Sequence, residues 1–263
     1  MSAGSFDRRL CVSVDAESYG RRDDWAQAEL QGLLVGLLAR AAEAAGVDRS
    51  RWVTQPTGDG ELALVPPGRN EPRVVDDFVR HVDAELARLN RRRADAERLR
   101  LRIAFHQGVA YPSANGFAGQ GVVTVSRLLN SAPLHRALTA APAANVAVAL
   151  SDDVFRTLVL GDHTTLTERD FRPVTVAEKE YQATAWVRVP GTDMRLLDLG
   201  EHGGHSGQES LATNGSTVNQ AGRDIVFAGE ERPVRREPGV MNVFHGAVDA
   251  SQATFGFSGG TRD

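Results

Sequence analysis

The succession of hydrophobic periods along roughly the first hundred residues does most to constrain this chain. Residues 9–14, RLCVSV, alternate with the period of a strand and end at Asp15. After the polar stretch AESYGRRDD, a helix is predicted from about Trp25 to Ala45. Its Leu30, Leu33, Leu34, Leu37 and Leu38 share one face, and Gly46 ends it. RWVTQPTGDGELALVP, residues 51–66, predicts a hairpin with strands at about 51–56 and 61–65, stopped by Pro66 and Pro67. A second helix is expected over about 73–93, burying Val75, Phe78, Val79, Val82, Leu86 and Leu89. LRLRIAFHQG then supplies a strand with Leu99, Leu101, Ile103 and Phe105 on one side. Strand, helix, strand, strand, helix, strand in this order reads as an α+β fold: a ferredoxin-like split βαβ sheet with helices packed on it.

Further elements extend that block. The Gly-rich loop ANGFAGQG leads into a helix expected over about 122–139, and VAVAL (146–150) reads as a buried strand. Ser151 is placed to cap the short helix SDDVFRTLV. FRPVTVA and ATAWVRV read as final strands joined by AEKEYQ. Composition then shifts: 12 of the 26 glycines fall in 200–263, which opens EHGGHSGQES, so 199–263 reads as a flexible linker and tail with weak β segments. Residues 213–258 are a candidate docking element for a protein partner by strand addition, or plain disorder.

Composition narrows the setting. The single cysteine, Cys11, excludes an intrachain disulfide framework and fits a reducing compartment. MSAGSFDRRL lacks the apolar core of a signal peptide, and no segment approaches the ~18 apolar residues of a membrane span, so a cytoplasmic location is expected. A net charge of −4 gives no reason to expect nucleic acid or membrane as a partner. Of the 30 basic residues one is lysine, Lys179.

Asp59 stands between Gly58 and Gly60, and a tight Asp-Gly turn, with glycine supplying positive φ, accounts for that on its own. In a split βαβ sheet, however, the first strand and the hairpin are neighbours. Asp15 and Asp59 are then expected at one edge, where two anionic oxygen ligands suit Mg²⁺, particularly with phosphate completing the shell.

With those residues in place the chain resembles the catalytic domain of the class III nucleotidyl (adenylate/guanylate) cyclases over about residues 8–190. VSVDAESYG resembles the family's first-strand aspartate block, PTGDGELALV its Gly-Asp hairpin, and LRIAFHQGVA its strand ending in a His-x-Gly turn. GFAGQGVVTVSRLL is similar to its Gly-rich loop and helix, and VTVAEKEYQATAWVRV to its lysine-bearing C-terminal segment. The resemblance implies conversion of a nucleoside triphosphate to a 3′,5′-cyclic nucleotide and pyrophosphate with two Mg²⁺ or Mn²⁺ ions per site. It implies Asp15 and Asp59 as metal ligands, Arg127 and Lys179 as catalytic phosphate-binding residues, and Gln55 at a base-reading position. Ser18 and Tyr19 would lie in the loop over the triphosphate, contacting it through backbone amides, with their side chains toward solvent. It also implies a homodimer, one protomer giving the aspartates and the other the arginine, lysine and base-reading residues.

The pattern departs from the family at Val123, where a ribose-orienting asparagine is usual, and at Gly116, the second base-reading position. It departs again at Glu180, which follows the lysine where glycine is usual. Two readings follow. One is an active cyclase with altered base choice, since a glutamine amide can pair with more than one base edge. The other is a catalytically weak or inactive cyclase-homology module that binds nucleotide or partner proteins as a sensor or scaffold. His106 reads as structural, and His202 and His205 lack partners at zinc spacing.

Overall fold

The structure, a computed structural model, describes residues 7–200 except Arg69. Beyond Gly200, the expected linker and tail lie outside the described residues. Strand β1 (Arg8–Ala16) buries Leu10, Val12, Val14 and Ala16 on one face and Cys11, Ser13 and Asp15 on the other. Helix α1 (Asp24–Ala44) starts where the Asp23 carboxylate accepts the Ala26 N–H at 2.8 Å, satisfying one of the free donors of the first turn. Strands β2 (Val53–Pro56) and β3 (Gly60–Val65) form the hairpin. The next helical stretch is α2 (Glu71–Arg73), a π-helical turn Val74–Phe78 and α3 (Val79–Asn90), leading to β4 (Leu101–Val109).

The remaining elements are β5 (Tyr111–Ser113), β6 (Gly116–Ala118), α4 (Gln120–Leu129), α5 (Ala132–Ala140), β7 (Val146–Ser151), α6 (Asp152–Val154), β8 (Arg172–Glu178) and β9 (Tyr181–Arg188). The main sheet runs β2-β3-β1-β4-β7-β9-β8. Its first four strands are mutually antiparallel in the split βαβ order, and β7 joins parallel to β4. Leu34, Leu37 and Leu38 of α1 pack with Phe78, Val82 and Leu86 on one face. Val125 and Leu128 of α4 and Leu134 and Leu138 of α5 cover Cys11, Leu64 and Ala104 on the other. A fully buried leucine of this kind contributes roughly 2 kcal/mol.

Three local expectations change. The single helix over 122–139 is two helices. Ser131 turns its hydroxyl back onto the Leu128 carbonyl at 2.7 Å, and Pro133, which lacks an N–H, opens α5. Ser151 occupies the N-cap position of α6, but its buried hydroxyl makes no capping bond. The connector expected between the last strands shrinks to Lys179-Glu180, because pairing persists out to Glu178 opposite Tyr181. The Gly-rich loop also holds the small β5–β6 hairpin, which its composition hid.

At the Gly-Asp-Gly turn the positive φ, +91°, belongs to Gly58. Gly60 is required for a different reason: a Cβ there would lie 1.8 Å from the Val14 carbonyl oxygen. Gly60→Ala therefore drives β3 off β1, and urea denaturation is expected to show a loss of at least about 2 kcal/mol. Wild-type stability in that variant would show that the two strands do not need this close approach.

Candidate active site

The register of the sheet places the two aspartates. Asp15 stands opposite Gly60 on β3, and the Ala16 N–H donates to the Asp59 carbonyl at 2.9 Å, so both residues lie at one edge. Asp15 is 8% exposed and Asp59 is half-buried. Opposite Asp15 on the other side stands Arg102 of β4, whose Nε and Nη2 donate to the two carboxylate oxygens at 2.8 and 2.7 Å. That fork is the strong form of a carboxylate–guanidinium pair. Burial nevertheless pushes the Asp15 carboxyl above its usual range. Arg102 pulls it down, while the charges of Asp59 and Glu17 push it up further.

Arg102 Nη1 lies 2.6 Å from His135 Nδ1 on α5. Since an arginine can only donate, Nδ1 accepts and His135 is neutral. Burial, and then the Arg102 charge, hold His135 below the usual histidine range. Neither Arg102 nor His135 was singled out from the sequence. The signal was present in LRLRI, where Arg100 and Arg102 alternate with core residues and so share the face of Asp15.

Among the described residues no three His, Cys, Asp or Glu side chains group as a metal site. The donors that do meet, two carboxylates in a poorly solvated edge, are of the hard oxygen type that Mg²⁺ and Mn²⁺ take. They fit such an ion in kind, provided Arg102 lets go of Asp15.

Arg127 and Lys179 lie elsewhere, whereas Gln55, Ser18 and Tyr19 are on elements next to β1 and β3. Arg127, near the end of α4, donates from Nη2 to Glu180 Oε1 at 3.1 Å, while its Nε is buried without a hydrogen-bond partner. This contact ties α4 to the β8–β9 turn, where Lys179 is exposed and holds a φ of +53°. Val123, one turn earlier on α4, is 42% exposed. Gln55 on β2 meets Gly116: a Cβ on Gly116 would fall 2.2 Å from Gln55 Oε1, so the amide fills the place of a side chain there. Ser18 is exposed with φ +59°. Tyr19, expected in solvent, is half-buried against the α1 core, and its hydroxyl accepts from Gln31 Nε2 at 2.8 Å. Burial pushes the Cys11 thiol up to about 12, so it is no nucleophile.

Arg127 and the lysine turn cannot meet the two carboxylates within one chain. Asp15 aligns through Arg102 with Ala147 of β7, whereas the turn begins at Tyr181, beyond Ala185, the partner of Ser151 at the other end of β7. That is four positions along β7 and four more along β9, about 26 Å at ~3.3 Å per residue. The carboxylates and the lysine turn occupy opposite ends of the sheet.

No family model and no curated protein matches the chain. Among solved structures it is similar to adenylate and guanylate cyclase catalytic domains. The guanylyl cyclase Cya2 is 15% identical, with 74% of this chain and 98% of that one covered and a TM-score of 0.47. The guanylate cyclase domain of RhGC from Catenaria anguillulae, in complex with GTP, is 14% identical, with 71% and 98% covered and a TM-score of 0.47. An adenylate/guanylate cyclase/hydrolase from Silicibacter pomeroyi is 19% identical, with 71% and 99% covered and a TM-score of 0.47. Similarity at this level assigns no residue a role. No helix among the described residues is long and apolar enough to cross a membrane.

Two outcomes follow from these contacts. Arg102→Ala leaves a buried carboxylate uncompensated, at a cost of about 3 kcal/mol near neutral pH. Because the folded-state pKa of Asp15, already raised by burial, rises further without Arg102, part of that loss returns as pH falls through the interval between the variant and wild-type values. Denaturation at several pH values checks this, and a loss independent of pH would contradict it. Lys179→Gly relieves a left-handed backbone and is expected to add about 1 kcal/mol of stability relative to Lys179→Ala. Equal stability of the two variants would show the turn unstrained.

Proposed function

We propose that residues 8–190 form a nucleotidyl-cyclase-type domain. It converts a nucleoside triphosphate to its 3′,5′-cyclic monophosphate and pyrophosphate as a homodimer, in intracellular signalling. The observation that carries this reading is the convergence of Asp15 and Asp59 at one poorly solvated edge, coupled in charge and 26 Å or so from the lysine turn. A site needing both groups takes them from two chains. Each of two equivalent sites would draw Asp15 and Asp59 from one protomer and Arg127, Lys179 and Gln55 from its partner.

Asp15 and Asp59 would hold Mg²⁺ or Mn²⁺, which when bound favours loss of the ribose 3′-hydroxyl proton and offsets phosphate charge. Arg102, displaced from Asp15, remains within side-chain reach of that edge and is suited to a phosphate oxygen. Arg127 would meet charge developing on the reacting phosphate, and Lys179 would bind the triphosphate as a point charge. Ser18 and Tyr19 lie three and four residues after Asp15, and their backbone amides would face the same phosphates. Gln55, with no side chain beside it at Gly116, would read the base alone, so weak discrimination between purines is expected.

The second reading, a module that binds nucleotide without turnover, is favoured by the apolar Val123 and by the carboxylate that Glu180 lays on Arg127. Incubation of the purified chain with each ribonucleoside triphosphate and Mn²⁺, with products identified by mass spectrometry, separates the two. The cyclase reading expects a cyclic nucleotide whose formation falls by at least about 10²-fold in Asp59→Ala and in Arg127→Ala. It also expects partial recovery when those two variants are mixed, since a mixed dimer restores one intact site. Nucleotide binding without product from any triphosphate would establish the second reading.

A further inference from the structure

The turn that carries Lys179 also carries an acid beside the arginine proposed for phosphate. Glu180 Oε1 accepts from Arg127 Nη2 at 3.1 Å, a single contact rather than a fork, and Arg127 Nε is left buried and unpaired. The guanidinium therefore has an anion on it, but one that uses only part of its donor set. A phosphate group, with three oxygens free to turn, satisfies such a fork more completely. The Glu180 side chain is 74% exposed and that of Arg127 22%, so the acid can swing into water at little desolvation cost while the arginine stays in place.

The turn holds this arrangement by construction. Pairing of Glu178 with Tyr181 leaves two residues to reverse the chain, and the first, Lys179, takes φ +53°. A non-glycine residue kept in that region is strained, and such strain is found where side-chain placement matters. The two turn residues set a cation and an anion side by side.

We propose that Glu180 is a built-in competitor for the phosphate position at Arg127, setting how tightly the chain takes a triphosphate. The inference rests on the reading of Arg127 and Lys179 as phosphate-binding residues. With Glu180 in place, the ligand must displace a carboxylate, and Arg127, Lys179 and Glu180 together present one net positive charge. With the acid neutralised, the same groups present two. The acid is largely exposed, so its neutralisation strengthens triphosphate binding by roughly two- to fivefold, an effect that shrinks as salt screens it.

The test is calorimetric titration of the full chain at low salt with inorganic tripolyphosphate as the probe. Wild type, Glu180→Gln, Arg127→Ala and the double variant are compared. The expected result is tighter binding by Glu180→Gln, weaker binding by Arg127→Ala, and a clearly smaller gain from Glu180→Gln once Arg127 is alanine, where Lys179 is the one cation left at the turn. If Arg127→Ala weakens binding but Glu180→Gln does not strengthen it, the competitor role is overturned while the phosphate role of Arg127 stands. A gain of undiminished size without Arg127 also overturns it. If Arg127→Ala leaves affinity unchanged, or no variant binds the probe, the phosphate assignment falls and the competitor falls with it.

Discussion

The pairing of Asp15 with Arg102 across β1 and β4 is the contact around which the candidate site is organised. An aspartate 8% exposed at the end of a central strand needs a partner, because a lone buried carboxylate is driven toward its neutral form. Arg102 supplies two donors to it, and His135 anchors the third corner of the guanidinium from α5. Arg102 thereby offsets part of what burial does to the Asp15 carboxyl. Such a pair is costly to break one side at a time, yet open to exchange when a stronger cation offsets the carboxylate. A buried aspartate next to a second one, paired with a guanidinium, is the electrostatic setting in which the proposed divalent ion and polyphosphate would replace that pair's contacts with their own.

The opposite end of the sheet has the complementary sign and the complementary problem. Arg127 and Lys179 bring positive charge to the end of α4 and the β8–β9 turn, with Glu180 partly neutralising it. Strand register keeps this end about eight residues from the acid edge. A rigid seven-stranded sheet cannot bend to bring them together. In the proposed reading, a second copy of the chain would bring the two ends together.

Much of this could be read from the residues because it follows from periodicity and order. The alternation in RLCVSV, the leucine face of α1 and the Gly-Asp-Gly hairpin together dictate that β1 and β3 lie side by side. Once they do, Asp15 and Asp59 have to share an edge. Arg102 escaped notice because its role depends on which β4 residue stands opposite Asp15, and register is a property of the assembled sheet. Glu180 stood out as a departure after Lys179, but its contact with Arg127 was hidden for a related reason: it exists only because the turn is two residues long. The break between α4 and α5 was visible in Ser131 and Pro133, but an unbroken apolar period hid it. Gly60 was read as turn chemistry when the constraint is its contact with Val14.

The claim on which the rest stands is that Asp15 and Asp59 jointly hold a divalent cation. Electron paramagnetic resonance of Mn²⁺ with the full chain and tripolyphosphate tests it directly. The wild-type chain should give the spectrum of an immobilised ion that Asp59→Asn removes, leaving only that of Mn²⁺ on free tripolyphosphate. An identical protein-bound spectrum in that variant, or none in the wild type, would contradict it.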